Sequence, residues 1–384
     1  MELVHTVIRY PPAIGGVERY VQQMCEGLVN RGHTIRVYTS DLDQHTEKTY
    51  LKEFSLQSMK NGVQINRLHA LFLPFIKGYP VLPSLPAKLL TESVDLFHGH
   101  CFYYSTADIT AFASRAKKRP FIYNPYFYIS ETKKWRLYRE TIGHLSMSAD
   151  VVICISEYEK QLIERSGFSV KRFEIVSPGI NLDEYYKKKP PLFEKYGVDL
   201  SQNRILLFVG RIAPEKGVDV LIKAFSMALM KEPDLILAIV GPDGGERQAM
   251  LKLIDQFNCM DKIVFTGVLG RKELIAAYQE ATLFVFPSRY EAFGIVLIEA
   301  MAAGLPIVAS NAAALPFVVP DQSCGLLSSP GDSRSLARNI VEVIRDHDLQ
   351  TFLSANASEH VSCNYNLSKQ VILLEAIYKS ILSW

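Results

Sequence analysis

The chain has 384 residues, 48% of them hydrophobic and 21% charged, which is enough apolar material for a large core and enough length for two domains. A net charge of +2 excludes a strongly basic nucleic-acid binder, so no nucleic-acid partner is expected. No apolar run reaches the about 18 residues of a membrane span, and MELVHTVIRY lacks the basic start and small-residue cleavage site of a signal peptide, so a cytoplasmic, non-spanning protein is expected.

The chain opens on an apolar strand, LVHTVIRY, that runs through Pro11, Pro12, Ala13 and Ile14 into Gly15, Gly16 and a helical stretch, VQQMCEGLVNRG. Paired glycines at a helix start let backbone N–H groups approach an anion, and equally suit a plain tight turn. The G-x-G-x-x-G spacing of a dinucleotide site is absent here and at Gly241, Gly244 and Gly245, which argues against NAD. Next come HTIRVYTS, VDLFHGH, RPFIYNPYFY, ADVVICIS and FEIVSPG, short β-rich runs alternating with helix-length segments. That is the rhythm of βαβ units and predicts a parallel, doubly wound sheet. His98 and His100 close the third strand, where a histidine is more often structural or acceptor-side than catalytic. The basic residues Arg115, Lys117, Lys118 and Arg119, and then Lys133, Lys134, Arg136 and Arg139 among Trp135, Leu137 and Tyr138, read as a solvated helix face or as a patch resting on an anionic membrane, where each cation contributes about 1 kcal/mol. Six scattered cysteines, with no C-x-x-C pair, are expected to be buried and reduced, with no metal site.

NLDEYYKKKPP, residues 181–191, has the charge and prolines of an exposed linker and sets a boundary near 190, giving domains 1–190 and 191–365. A second αβ series follows: RILLFVGRI, LILAIVG, KIVFTGV, TLFVFPS and LPIVAS, separated by segments such as GVDVLIKAFSMALM and RKELIAAYQEA. After its first strand, Arg211 and Lys216 lie on a short loop ending at Gly217 and would set two cations beside a diphosphate, Arg as a fork and Lys as a point charge. Each such charge-assisted bond contributes roughly 1.5 to 3 kcal/mol. After LFVFP, Glu291 sits in a turn and Glu299 in the following helix. A carboxylate amid Ile298, Ala300 and Met301 is costly to bury without a partner, and the paired hydroxyls of a ribose would satisfy it. The start of that helix, at Phe293, Gly294 and Ile295, offers free N–H groups and a positive dipole end. The terminal segment LSKQVILLEAIYKSIL is a periodic helix; residues 366–384 are expected to pack back on the first domain and could reach both domains.

GGVERY, DLFHGH, ADVVICIS, IVSPGIN, FVGRIAPEKG, TGVLGRKEL and SRYEAFGIVLIEAMAAGLPIVAS together resemble the retaining glycosyltransferases of the GT-B fold, family 4 or glycosyltransferase group 1, over nearly the whole chain. The resemblance implies two Rossmann-like doubly wound domains facing a central cleft. It implies that Glu299 holds the donor ribose, Arg211 and Lys216 the diphosphate, and Glu291 a hydroxyl of the transferred sugar, with backbone of Phe293, Gly294 and Ile295 helping. Gly15 and Gly16 would admit the diphosphate or acceptor, and the base would lie near Val268 and Leu269. Many family members carry a histidine near the sugar where this chain has Tyr126, a poor base at neutral pH; the residues left on the acceptor or sugar side are His98, His100 and Tyr126.

The expected activity is transfer of a hexose, such as mannose or glucose, from a UDP- or GDP-sugar to a glycan or lipid-linked acceptor, with retention of configuration. The donor is a co-substrate and no cofactor or metal is expected, because Arg211, Lys216 and helix dipoles stabilise the leaving diphosphate. A peripheral contact with the inner face of a membrane fits the basic aromatic cluster. The alternatives are a nucleotide-sugar epimerase or phosphorylase of the same architecture, and a non-catalytic nucleotide-sugar-binding subunit.

Overall fold

The computed structural model describes residues 1–44, 49–52, 54–72, 79–130 and 132–382, so the last two residues of the expected terminal helix lie outside the described residues. The chain folds into two compact units, one of residues 1–179 and 367–384, the other of residues 180–366.

The first unit is built on strands β1 (Glu2–Thr6), β2 (Thr34–Ser40), β3 (Gln57–Lys60), β4 (Val63–Leu68), β5 (Leu96–His100), β6 (Phe121–Asn124), β7 (Val151–Cys154) and β8 (Phe173–Ile175). Their order in the sheet is β8-β7-β6-β5-β1-β2-β4-β3, parallel except where β3 pairs antiparallel with β4. The order reverses between β1 and β5, the kind of switch point outside which open α/β sheets bind ligands. Helices cover both faces, so β5, β6 and β7 are buried throughout; β7 reads as a continuous apolar run, while β5 buries His98 and His100 among its apolar residues.

The second unit holds β9 (Arg204–Val209), β10 (Leu235–Val240), β11 (Ile263–Gly267), β12 (Leu283–Phe286), β13 (Ile307–Ser310) and β14 (Gly325–Ser328), all parallel in the order β11-β10-β9-β12-β13-β14. Here the reversal lies between β9 and β12. The helix Val218–Leu229 shows why the layers hold: Val218, Leu221, Ile222, Phe225 and Ala228 fall at helical spacing on one face and are all buried. Truncating Phe225, fully enclosed, to alanine would cost about 3 to 5 kcal/mol.

One detail differs from the sequence reading. The segment 181–191 is not a free linker. Within it the Lys189 N–H donates to the Gln279 side chain and Tyr185 is buried, and just beyond it the N–H groups of buried Leu192 and Phe193 donate to Glu280, so the segment is part of the second unit. The terminal helix Leu367–Leu382 belongs to the first unit, where it lies on the helix Gly16–Asn30. A Cβ on Gly27 would meet Val371 at 2.5 Å, so the two helices touch backbone to side chain. Glu375 fixes the contact by pairing with Arg31 and His33, and its carboxyl is held down at about 2 by Lys379 first and then by these two donors.

Candidate functional site

In the second unit the candidate residues gather at the carboxyl ends of β9 and β12. The chain leaves β9 through Gly210 and Arg211, makes a tight turn at Pro214–Lys216, and enters the next helix at Gly217. The turn is clamped to the loop after β12: Arg289 N donates to the Glu215 carbonyl at 2.7 Å, the Ser288 hydroxyl to the same carbonyl at 2.9 Å, and the Arg289 guanidinium to the Pro214 carbonyl at 2.7 Å and to both oxygens of Asp219. The clamp brings Lys216 Nζ onto Glu291 Oε1 in an ion pair whose side chains keep 18% and 14% of their surface. Two residues that the sequence reading assigned separately, a diphosphate cation and a sugar-hydroxyl acceptor, are therefore partners. Arg211 is different. Its side chain is 62% exposed and its contact with Glu215 at 2.8 Å is a local surface pair of the kind that contributes little.

The helix expected at Phe293 and Gly294 begins at Ile295, with Gly294 in the left-handed region at φ 88 as its cap and no side-chain cap on its N-terminal N–H groups. Phe293 is buried against Tyr365. On this helix Glu299 is 2% exposed, as its apolar neighbours require. The protein itself supplies partners for it: Arg271 Nη1 donates to Oε1 at 2.6 Å and the Tyr278 hydroxyl to Oε2 at 3.1 Å. The sequence reading missed both donors, although their seven-residue separation on one helix face was a signal. Val268 and Leu269 follow β11 on a turn opened by Gly267 at φ 70, and Val268 is 66% exposed.

In the first unit Gly15 precedes the helix Gly16–Asn30 with no side-chain cap. A Cβ there would fall 2.0 Å from Glu18 Oε2, because the Glu18 carboxylate folds over the helix start and pairs with Arg9 at 2.5 Å. The anion position at this helix end thus already carries a carboxylate, neutralised by a cation. Gly15 is needed for that packing whatever else it admits.

His98, His100 and Tyr126 come together, joined by His5, Asn124 and Tyr378. His5 on β1 and His98 and His100 on β5 share one sheet face and are each 1% exposed. Asn124 settles the proton positions. Its amide nitrogen donates to the Ile153 carbonyl, so its oxygen accepts from His98 Nε2 at 2.8 Å, and His98 Nδ1 must accept from the Tyr378 hydroxyl at 2.5 Å. Continuing, His5 Nε2 donates to the Tyr378 oxygen at 3.4 Å, His100 Nε2 to His5 Nδ1 at 3.1 Å, and the Tyr126 hydroxyl to His100 Nδ1 at 3.0 Å. Every link is satisfied with all three histidines neutral, and burial lowers each of their pKa values, His5 to about 3. The three rings also form the one His, Cys, Asp or Glu group with metal-ligand spacing among the described residues. Tyr126, partly buried at the outer end of the chain, has φ 48; Cys101 and Tyr103, just past β5, have φ 73 and 67. Each left-handed non-glycine residue costs about 1 to 2 kcal/mol, and strain of this kind clusters at strand ends that serve a ligand.

Comparison with known proteins agrees with this layout. The family described as "Glycosyltransferase Family 4" matches residues 14–184, and "Glycosyl transferases group 1" matches residues 192–360. An uncharacterized glycosyltransferase of Methanocaldococcus jannaschii is 26% identical over 97% of this chain and 97% of its own length. Among solved structures, sucrose-phosphate synthase from Thermosynechococcus elongatus superposes with a TM-score of 0.80 at 22% identity, covering 100% of this chain and 99% of that one. Anabaena HepE, solved in complex with UDP, superposes with a TM-score of 0.81 at 20% identity, covering 99% of this chain and 100% of that one. At these identities the structures show the fold, the two Rossmann-like domains of the GT-B class.

Proposed function

The chain belongs to the family 4, group 1 glycosyltransferases, and on that premise we propose that it moves a hexose, mannose or glucose, from a nucleoside-diphosphate sugar to a hydroxyl of a glycan or lipid-linked acceptor, with retention at the anomeric carbon. The observation that supports this reading most is the Lys216–Glu291 pair at the carboxyl ends of β9 and β12, with Glu299 on the helix that follows. In the proposed reaction the bond from the anomeric carbon to the diphosphate oxygen breaks, a bond to the acceptor oxygen forms, and the acceptor proton passes to the leaving diphosphate. Arg211 and Lys216 offset the charge that builds on that diphosphate, so the scheme calls for no bound metal. Glu291 orients Lys216 and accepts from a sugar hydroxyl. Glu299 accepts from the ribose, the N–H groups of Phe293, Gly294 and Ile295 face donor oxygens, and the base rests on the backbone of Val268 and Leu269. The Arg9–Glu18 pair beside Gly15 and Gly16, and the Tyr126 end of the histidine chain with His98 and His100 behind it, serve the acceptor. Because HepE was solved with UDP, a UDP-sugar is the first donor to test and a GDP-sugar the second.

A lipid-linked acceptor fits the helix Lys133–Glu140. Trp135 and Tyr138 are buried as its anchor, while Leu137 is 64% exposed, Ile142 53%, Ile129 47% and Tyr128 41%, beside exposed Lys133, Lys134 and Arg136. Apolar side chains among cations suit a peripheral contact with an anionic bilayer, which supports the reading that the enzyme works at the inner face of a membrane.

The test is a thermal-shift panel of UDP-, GDP- and ADP-sugars on the wild type and on Glu299→Ala. The expected result is stabilisation by one donor, lost in the variant. Stabilisation by none of them, or an equal shift in the variant, would overturn the donor assignment; product formed without any acceptor would point to an epimerase instead.

A further inference from the structure

Arg271 opens the helix Arg271–Glu280 and meets three neighbours at once. Nη1 donates to Glu299 Oε1 at 2.6 Å, Nε donates to Glu184 Oε2 at 2.9 Å, and the guanidinium lies 5.3 Å above the Tyr185 ring. It thus bridges a carboxylate that is 2% exposed and one on the short helix Asp183–Tyr186 that is 38% exposed. We infer that Arg271 is a positioning residue for nucleotide binding, keeping Glu299 ionised and in one orientation for the ribose hydroxyls. This rests on the proposed reading of Glu299 as the ribose ligand.

The argument is electrostatic. A carboxylate enclosed as completely as Glu299 favours its neutral form unless a cation or several donors oppose burial. The first unit supplies the comparison. Glu159 is equally enclosed and accepts from two backbone N–H groups, of Phe127 and Ile155, and burial still pushes its carboxyl up to about 7. Glu299 has what Glu159 does not, a guanidinium at 2.6 Å. The same contact fixes direction: with Oε1 held by Arg271 and Oε2 by Tyr278, the carboxylate plane cannot swing. A carboxylate accepts about four hydrogen bonds, so these two donors by themselves do not preclude a ribose diol. An uncharged residue at 271 would leave burial of the Glu299 carboxylate unopposed by a cation, favouring the protonated form and exchanging one acceptor oxygen for a donor.

The test measures UDP and GDP binding by calorimetry from pH 6 to pH 8 in the wild type, Arg271→Met, Arg271→Gln, Arg271→Lys and Glu299→Gln, each checked by its thermal melt. Affinities are expressed relative to wild type at the same pH, which cancels titration of the nucleotide itself. For Arg271→Met the deficit is expected to grow severalfold as pH falls from 8 to 6, the direction in which an enclosed carboxyl without its cation gains a proton. Arg271→Gln gives the same growth and serves if the Met variant does not fold. Arg271→Lys, which restores the cation, shows a deficit independent of pH. A pH-independent deficit, or none, in the uncharged variants while Glu299→Gln is impaired would overturn the inference alone. Wild-type affinity in Glu299→Gln would overturn the ribose assignment on which it stands.

Discussion

Gly217 lies so close to Pro287 that a Cβ on it would fall 2.2 Å from the Pro287 carbonyl oxygen, and its φ of 68 is left-handed. The loop after β9 is thereby pressed onto the loop after β12, and Lys216, the preceding residue, is carried to Glu291. Gly217→Ala meets both obstacles, an unfavourable φ and a backbone clash, and is expected to lose roughly 2 to 5 kcal/mol in urea unfolding. A loss under about 1 kcal/mol would show that the two loops are not held by this contact.

The Lys216–Glu291 pair separates chemistry from folding. Glu291→Gln keeps an acceptor for the ammonium and should melt within a few degrees of wild type. Its turnover with the identified donor is expected to fall about a hundredfold, the cost of one oriented polar group at a reacting centre. Lys216→Met should fall at least as far. Wild-type turnover in either variant would remove the pair from the reaction.

The histidine chain predicts a pH dependence of stability. His5, His98 and His100 have folded pKa values lowered by burial from about 6.5, so below that pH the unfolded chain binds more protons and stability falls as pH falls. Each contributes a slope of about 1.4 kcal/mol per pH unit. Asp108 and Glu159, raised by burial to about 6 and about 7, act in the opposite sense over part of the same range, since the native state protonates first. A difference measurement isolates the histidines. His5→Gln should make the fall in stability between pH 6 and pH 5 shallower than wild type by about 1.4 kcal/mol per unit. Parallel curves would mean that His5 is not held neutral.

For the membrane contact, the triple variant Lys133→Glu, Lys134→Glu, Arg136→Glu should lose binding to vesicles containing anionic lipid, while Leu137→Ser weakens it less. All four positions are exposed, so melting temperatures should not change. Equal sedimentation of the charge-reversed protein with such vesicles would exclude this face.

Much of the fold was legible because it depends on local pattern. Fully buried parallel strands read as short apolar runs, Val218–Leu229 as a periodic helix, and glycine before a helix as a turn. The linker reading at 181–191 came from the same logic: its lysines and prolines are largely solvated, yet the N–H groups of Lys189 and, just beyond the segment, Leu192 and Phe193 are claimed by Gln279 and Glu280, about 90 residues away in sequence.

The sequence by itself determined two parallel α/β units, strand-end loops bearing Arg211, Lys216 and Glu291, and a carboxylate, Glu299, too apolar in its surroundings to stand alone. Which groups answer that carboxylate was decided only by the tertiary structure, through Arg271 and Tyr278. The same holds for the chain that links His5 to Tyr378 across 373 positions. The physical reason is common to both. Burial shows in the pattern of neighbours along the chain, whereas a hydrogen-bond partner is a matter of distance and angle in space, and side chains remote in sequence meet only once sheets and helices have packed.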